Sequence, residues 1–99
     1  MAITRAEEFI TELINNSDFQ VEVLEKIKET AGSLDALIGT KDEKVVMQYA
    51  VPAANQLGYE CTGDELKVAF DTVSKKAGAF KMIGFATNML SNAKKVNAE

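Results

Sequence analysis

Ninety-nine residues with 46% hydrophobic and 26% charged content describe one folded domain with a modest core, neither a disordered chain nor a membrane-spanning one. No apolar run approaches the ~20 residues that a bilayer crossing needs, and "MAITRAEEF" lacks the basic start and apolar stretch of a secretory signal, so the expected location is cytoplasmic. With no His and a single Cys, the sequence excludes disulfides within the chain, Cys–His catalysis and Cys/His zinc sites.

The net charge of −4 averages over two unlike parts. Residues 1–74 hold 6 Lys/Arg against 14 Asp/Glu, whereas residues 75–99 hold Lys75, Lys76, Lys81, Lys94 and Lys95 against Glu99 alone. An acidic body followed by a basic tail implies either two parts with different partners or a basic helix docked on an acidic bundle.

Four Ser/Thr-x-x-Glu/Gln capping boxes predict helix starts: Thr4 with Glu7, Ser17 with Gln20, Thr40 with Glu43, and Thr62 with Glu65. The first helix covers about residues 5–14, with Phe9, Ile10, Leu13 and Ile14 at helical spacing and Asn15-Asn16 as its stop. The second runs to about Thr30, with Phe19, Val23, Leu24 and Ile27 on one face and Glu22, Glu25, Lys26 and Glu29 turned outward. Gly32 and Gly39 bracket "SLDALI", enough for one or two turns, with Ser33 as its cap.

The third full helix follows Thr40 and turns Val45, Val46, Tyr49, Ala50 and Ala53 toward the core. Pro52 predicts a kink or restart near Val51, because proline removes one internal hydrogen bond and crowds the preceding turn at a cost of ~3 kcal/mol. Gly58 suits the left-handed residue that ends this helix, with Tyr59 folding back onto it. The fourth runs from Gly63 to about Lys76 and buries Leu66, Ala69, Phe70 and Val73. Cys61 then stands just before the cap and Leu66 on the fourth helical residue, the two positions of a hydrophobic staple, so the cysteine is expected to be structural.

In the tail, Phe80, Ile83, Ala86, Leu90 and Ala93 repeat at helical spacing, while Gly78 and Gly84 weaken the segment by ~1 kcal/mol each relative to Ala. No β-branched alternation of a strand's length occurs. The fold class expected is all-α, a small bundle of four to five short helices with a loosely held C-terminal amphipathic helix, divided into a helical domain over residues 1–77 and a basic tail over residues 78–99.

Nothing in this pattern calls for an enzyme, a metal or a cofactor. Glu7, Glu8 and Glu12 share a face without the further ligand that a metal site would need, and Asp42, Glu43, Asp64 and Glu65 occupy first turns, where carboxylates complement the helix dipole. Nucleic acid is not an expected partner, because the body would repel phosphate and the tail has no arginine. The amphipathic basic tail fits contact with a membrane surface as well as it fits packing on the bundle. "AGSLDALIG" is similar to the serine motif of small acidic acyl and peptidyl carrier proteins, but Gly32 stands where carriers have Asp before the serine, and a helix is predicted where they have a long loop.

Two longer stretches carry a family likeness. "AEEFITELINNSDFQVEVLEKI" gives a short helix, an Asn/Asp break and a second helix opening on an aromatic, and "VVMQYAVPAANQLGYECTGDEL" gives an alanine-containing helix ending in Gly-aromatic-x-apolar-Thr-x-Asp-Glu-Leu. Together, over about residues 5–70, they resemble the leader-peptide family related to nitrile hydratase and nitrogen-fixation-associated proteins; "GSLDALIGTKDE" is longer than that family's usual connection. The resemblance implies a precursor of a ribosomally made, modified, bacteriocin-like peptide. A maturation enzyme would recognise the helical leader and modify the C-terminal segment, a peptidase would cut after a Gly-Gly or Gly-Ala pair, and the released tail could be exported. The matching pair here is Gly78-Ala79, close to where the charge changes sign, and residues 80–99 would be the core peptide. That segment holds no Cys and only Thr87 and Ser91 as hydroxyl residues, which rules out thioether rings within it and leaves little for azole formation. Phe9, Leu13, Phe19 and Leu24 are the expected leader-recognition residues, with Phe9 expected to be the partly exposed anchor. The alternative from a different class is a stand-alone helical interaction module whose tail packs as its last helix; a carrier-like protein is the lesser alternative.

Overall fold

The computed structural model describes residues 2–40 and 42–99, with the side chains of all of these but Ala2, Ile3, Glu43 and Lys44. It is an all-α bundle of α1 (Ala2–Asn15), α2 (Ser17–Ala31), the short α3 (Asp35–Gly39), α4 (Glu43–Gln56), α5 (Gly63–Ala77) and α6 (Ala79–Ala98). α1 lies along α5, while α2 is sandwiched between α4 and α6. Phe9, Ile10 and Leu13 of α1, Val23 and Leu24 of α2, Leu34, Met47 of α4 and Leu66 of α5 form the innermost core.

Of the four capping boxes, the one at Thr62 and Glu65 forms in full. The Thr62 hydroxyl accepts from the Glu65 N–H at 3.2 Å and the Glu65 carboxylate accepts from the Thr62 N–H at 2.9 Å. Thr4 does not cap α1, which already begins at Ala2. α2 is capped by Asn16 rather than Ser17: its Oδ1 accepts from the Phe19 N–H at 3.1 Å, and Ser17 becomes the first helical residue. That shift frees Gln20 from reaching back to a cap and lets its amide turn into the core. Thr40 ends α3 in an extended conformation, and its hydroxyl accepts from the Asp42 N–H, so α4 begins two residues later than a cap at Thr40 would place it. Ser33 precedes the cap position of α3, which Leu34 occupies, and the Ser33 hydroxyl accepts from the N–H of Asp35, the first helical residue, at 3.4 Å.

Helix ends follow glycine. Gly32 adopts φ 88° and donates to the Lys28 carbonyl, closing α2 in a left-handed cap. After α4, Gly58 has φ 95°, Tyr59 N–H donates to Ala54 O at 2.9 Å and Gly58 N–H donates to Asn55 O, the paired bonds of a Schellman motif.

Pro52 neither ends nor restarts α4, which is continuous from Glu43 to Gln56. Proline denies a donor to the Gln48 carbonyl one turn back, and Pro52 and Gln48 are both exposed, where water can replace the lost bond. The core side of this helix is Met47, Ala50, Ala53 and Ala54; Tyr49 is exposed, and Val45 and Val46 are only partly covered.

The tail is a 20-residue helix, and its buried face differs from the expected one. Phe80, Ile83, Ala86 and Leu90 point outward; Phe85, Asn92, Ala93 and Val96 are buried, with Met82 and Met89 packed against the core. Both stripes have helical period, so periodicity does not choose between them. Polar geometry does. The buried Gln20 donates from Nε2 to the Leu13 carbonyl at 2.9 Å and accepts at Oε1 from Asn92 Nδ2 at 2.8 Å. At the end of α6, Lys28 Nζ donates to the Val96 carbonyl at 2.8 Å, and Asn97 both accepts from the Leu34 N–H at 2.9 Å and donates to Asp35 Oδ1 at 2.8 Å.

Gln20→Ala strips the partner from a buried carbonyl and a buried amide at once. It is expected to cost about 1–3 kcal/mol in urea unfolding, with little loss of helicity. Asn92→Ala should cost less when made on that background than on the parent, because the two side chains share one bond.

Candidate recognition and cleavage sites

Aromatic residues of the two longer sequence stretches converge. α1 and α2 are separated by Asn16 alone, which brings Phe9 and Phe19 together with ring centroids 5.6 Å apart and edge-to-face. Tyr59, delivered by the Gly58 turn, lies 5.6 Å from Phe9 and 6.0 Å from Phe19, completing a three-ring cluster. Segments some forty residues apart in sequence are thereby fastened at one corner of the body.

Phe9 is not the partly exposed anchor expected of it. It is fully buried, as is Leu13, because α1 is covered by α5 on one side and by the aromatic cluster on the other, and Leu24 is fully buried on α2 between α4 and α6. Phe19 alone of the four recognition candidates is partly exposed, so it is the one a partner can touch without opening the fold.

Cys61 is held beside this corner. Its N–H donates to Asn55 Oδ1 at 3.0 Å, and its side chain is buried in the core cluster that also holds Leu66, as a hydrophobic staple requires. Burial, with a smaller contribution from the negative charge of Glu65, pushes the thiol above its ordinary range. The protonated thiol is the weaker nucleophile, which agrees with a structural role.

Gly78 and Ala79 are both exposed. Gly78 has φ 88° and ψ 162°, a conformation that side chains rarely adopt; it donates to the Ser74 carbonyl to close α5 and accepts from the Met82 N–H to open α6. The first turns beyond it are thinly attached, with Phe80, Lys81, Ile83 and Gly84 exposed and Met82 partly covered. Unwinding residues 79–84 exposes few buried contacts, whereas Phe85 is buried against Phe70 and the last turns carry the bonds of Asn92, Val96 and Asn97.

Two concavities flank α6. An open groove has Glu7, Glu8 and Glu12 of α1 on one wall and Lys76 and Lys81 on the other, beside the Gly78 turn. An apolar cavity of 360 Å³, lined by Leu37, Met47, Phe70, Phe85 and Met89 among others, has Thr40 as its polar lining residue. Among the described residues no group of three or more His, Cys, Asp and Glu is arranged to hold a metal ion. Ser33 is half-buried, and α2 reaches Ala31 just before it, so the extended loop of a carrier protein has no counterpart at this serine.

Phe9→Ala is expected to cost about 3–5 kcal/mol in chemical denaturation, and Phe19→Ala clearly less. Because the Cys61 pKa is raised in the folded chain, its contribution to stability is complete below the ordinary thiol pKa and is lost as pH rises through the folded value. Stability curves above about pH 8.5 should therefore slope downward more steeply for the parent than for Cys61→Ala.

Comparison with protein-family models, with curated proteins and with solved structures finds no match.

Proposed function

We propose that this chain is a precursor of a ribosomally made modified peptide, in which the acidic five-helix body is bound by a maturation enzyme and residues 80–99 are its substrate. The observation that carries this reading is the exposed Gly78–Ala79 turn, which divides an acidic body from a helix whose charged residues are all lysines. The likeness of residues 5–70 to leader peptides supports it, and so does the convergence of the motif residues Phe9, Phe19 and Tyr59 on one corner. The thin attachment of the first turns of α6 gives a peptidase access once they unwind. The enzyme's contact would centre on Phe19, with nearby carboxylates such as Asp18 and Glu22 steering a basic surface.

A second reading has its own observation in its favour. The bonds from Lys28 to Val96, from Asn97 to Leu34 and from Asn92 to Gln20 make α6 an integral last helix, as a stand-alone interaction module would have it. The two readings part on deletion of residues 79–99. A self-sufficient leader keeps its fold and its enzyme affinity, whereas a module that needs its last helix loses many degrees of melting temperature, having given up the burial of Phe85, Ala93 and Val96.

Co-expression with enzymes encoded beside its gene, followed by intact-mass and fragment analysis, is expected to place a mass change within residues 80–99 and a peptidase cut after Ala79. A tail left unmodified by every such enzyme would count against the precursor reading.

A further inference from the structure

α6 has two apolar stripes, and the fold uses one. Met82, Phe85, Met89, Ala93 and Val96 face the bundle. Phe80, Ile83 and Thr87 recur at spacings of three and four on the outward side, with Phe80 94% and Ile83 66% exposed, and Leu90, 43% exposed, stands at the edge of this face, where it also lines the apolar cavity. Three large apolar side chains on one outward face go beyond the single surface hydrophobics that any protein carries.

Charge indicates what covers this face. Lys94 continues the stripe one turn after Leu90, and Lys95 lies next to it; both are exposed and neither forms an ion pair among the described residues. Lys81, near the other end, is exposed and shares the groove with the α1 carboxylates. The helix itself contains no Asp or Glu. Packing this face on that of a second copy would bring lysines together with no acid on either helix to offset them, whereas an anionic surface complements them.

We propose that the outward face of α6 binds an anionic lipid surface, with Phe80, Ile83 and Leu90 entering the acyl boundary and Lys94 and Lys95 among the head groups. Contact is in the plane of the interface, because no described helix is long and apolar enough to cross a membrane. The inner stripe stays on the bundle, so binding needs no unfolding. The lysines act at contact distance, while carboxylates on the far side of the body are screened beyond roughly 8 Å at physiological salt. The proposal concerns the full chain and stands whether or not residues 80–99 are ever released.

The chain contains no Trp, so Phe80→Trp gives a single reporter. The full-length protein is mixed with vesicles of phosphatidylcholine containing phosphatidylglycerol and, separately, with phosphatidylcholine alone. Expected results are a blue shift of the indole emission and co-sedimentation on the anionic vesicles, weakened by salt. Binding should fall about tenfold or more in Phe80→Ser/Ile83→Ser and about tenfold in Lys94→Gln/Lys95→Gln, with melting temperatures near that of the parent because all four side chains are exposed. Unshifted emission and no sedimentation would overturn the proposal, as would equal binding by the serine variant. A dimer seen by light scattering and broken by the serine changes would assign the face to a second copy instead.

Discussion

The amide of Gln20 is the bond on which the arrangement of helices turns. The Leu13 carbonyl belongs to the last turn of α1, where intrahelical donors run out, and it lies where the fold excludes water. Gln20 supplies the missing donor, and its own oxygen must then find one. Asn92 provides it, and the second acceptor of the Asn92 amide is Ser17 Oγ at 3.2 Å. One buried side chain thus ties α1, α2 and α6 together, and because an unpartnered buried amide costs about 1–3 kcal/mol, it selects which face of α6 turns inward.

The two ends of α6 are held unequally as a result. Its last turns donate to and accept from α2 and the start of α3: Lys28 meets carbonyls at the negative end of the helix dipole, and Asn97 satisfies the Leu34 N–H that no local side chain serves. Residues 79–84, after the Gly78 turn, contribute little to the core and leave Phe80 and Ile83 facing outward, and the core contact of this end begins at Phe85. An attached end and an accessible end on one helix suit both a processed tail and a helix that meets a surface while still docked.

The connection between α4 and α5 is organised by local rules. The Gly58 Schellman turn, the Asn55 bond to the Cys61 N–H and the Thr62–Glu65 box fix the connection between α4 and α5 residue by residue. Tyr59 then reaches Phe9 and Phe19 across the α1–α2 junction. This corner is built from helix-boundary chemistry joined to an aromatic cluster.

What the sequence determined by itself was a set of features fixed within a few residues: the all-α class, the stop at Asn15-Asn16, the left-handed Gly58, the start at Gly63 and the structural place of Cys61. Glycine conformation, capping geometry and burial of a staple depend on neighbours along the chain, so spacing reveals them. Where two local solutions compete, spacing does not decide. Asn16 and Ser17 are both good caps, and the structure takes the one that frees Gln20 for the core. Phe9 reads from its short acidic helix as a partly exposed anchor, and it is core because α5 and Tyr59 cover it. The inward face of α6 was likewise settled by tertiary structure, because its two stripes share one period and long-range bonds, from Asn92 to a residue seventy-two positions earlier and from Asn97 to Leu34 and Asp35, distinguish them.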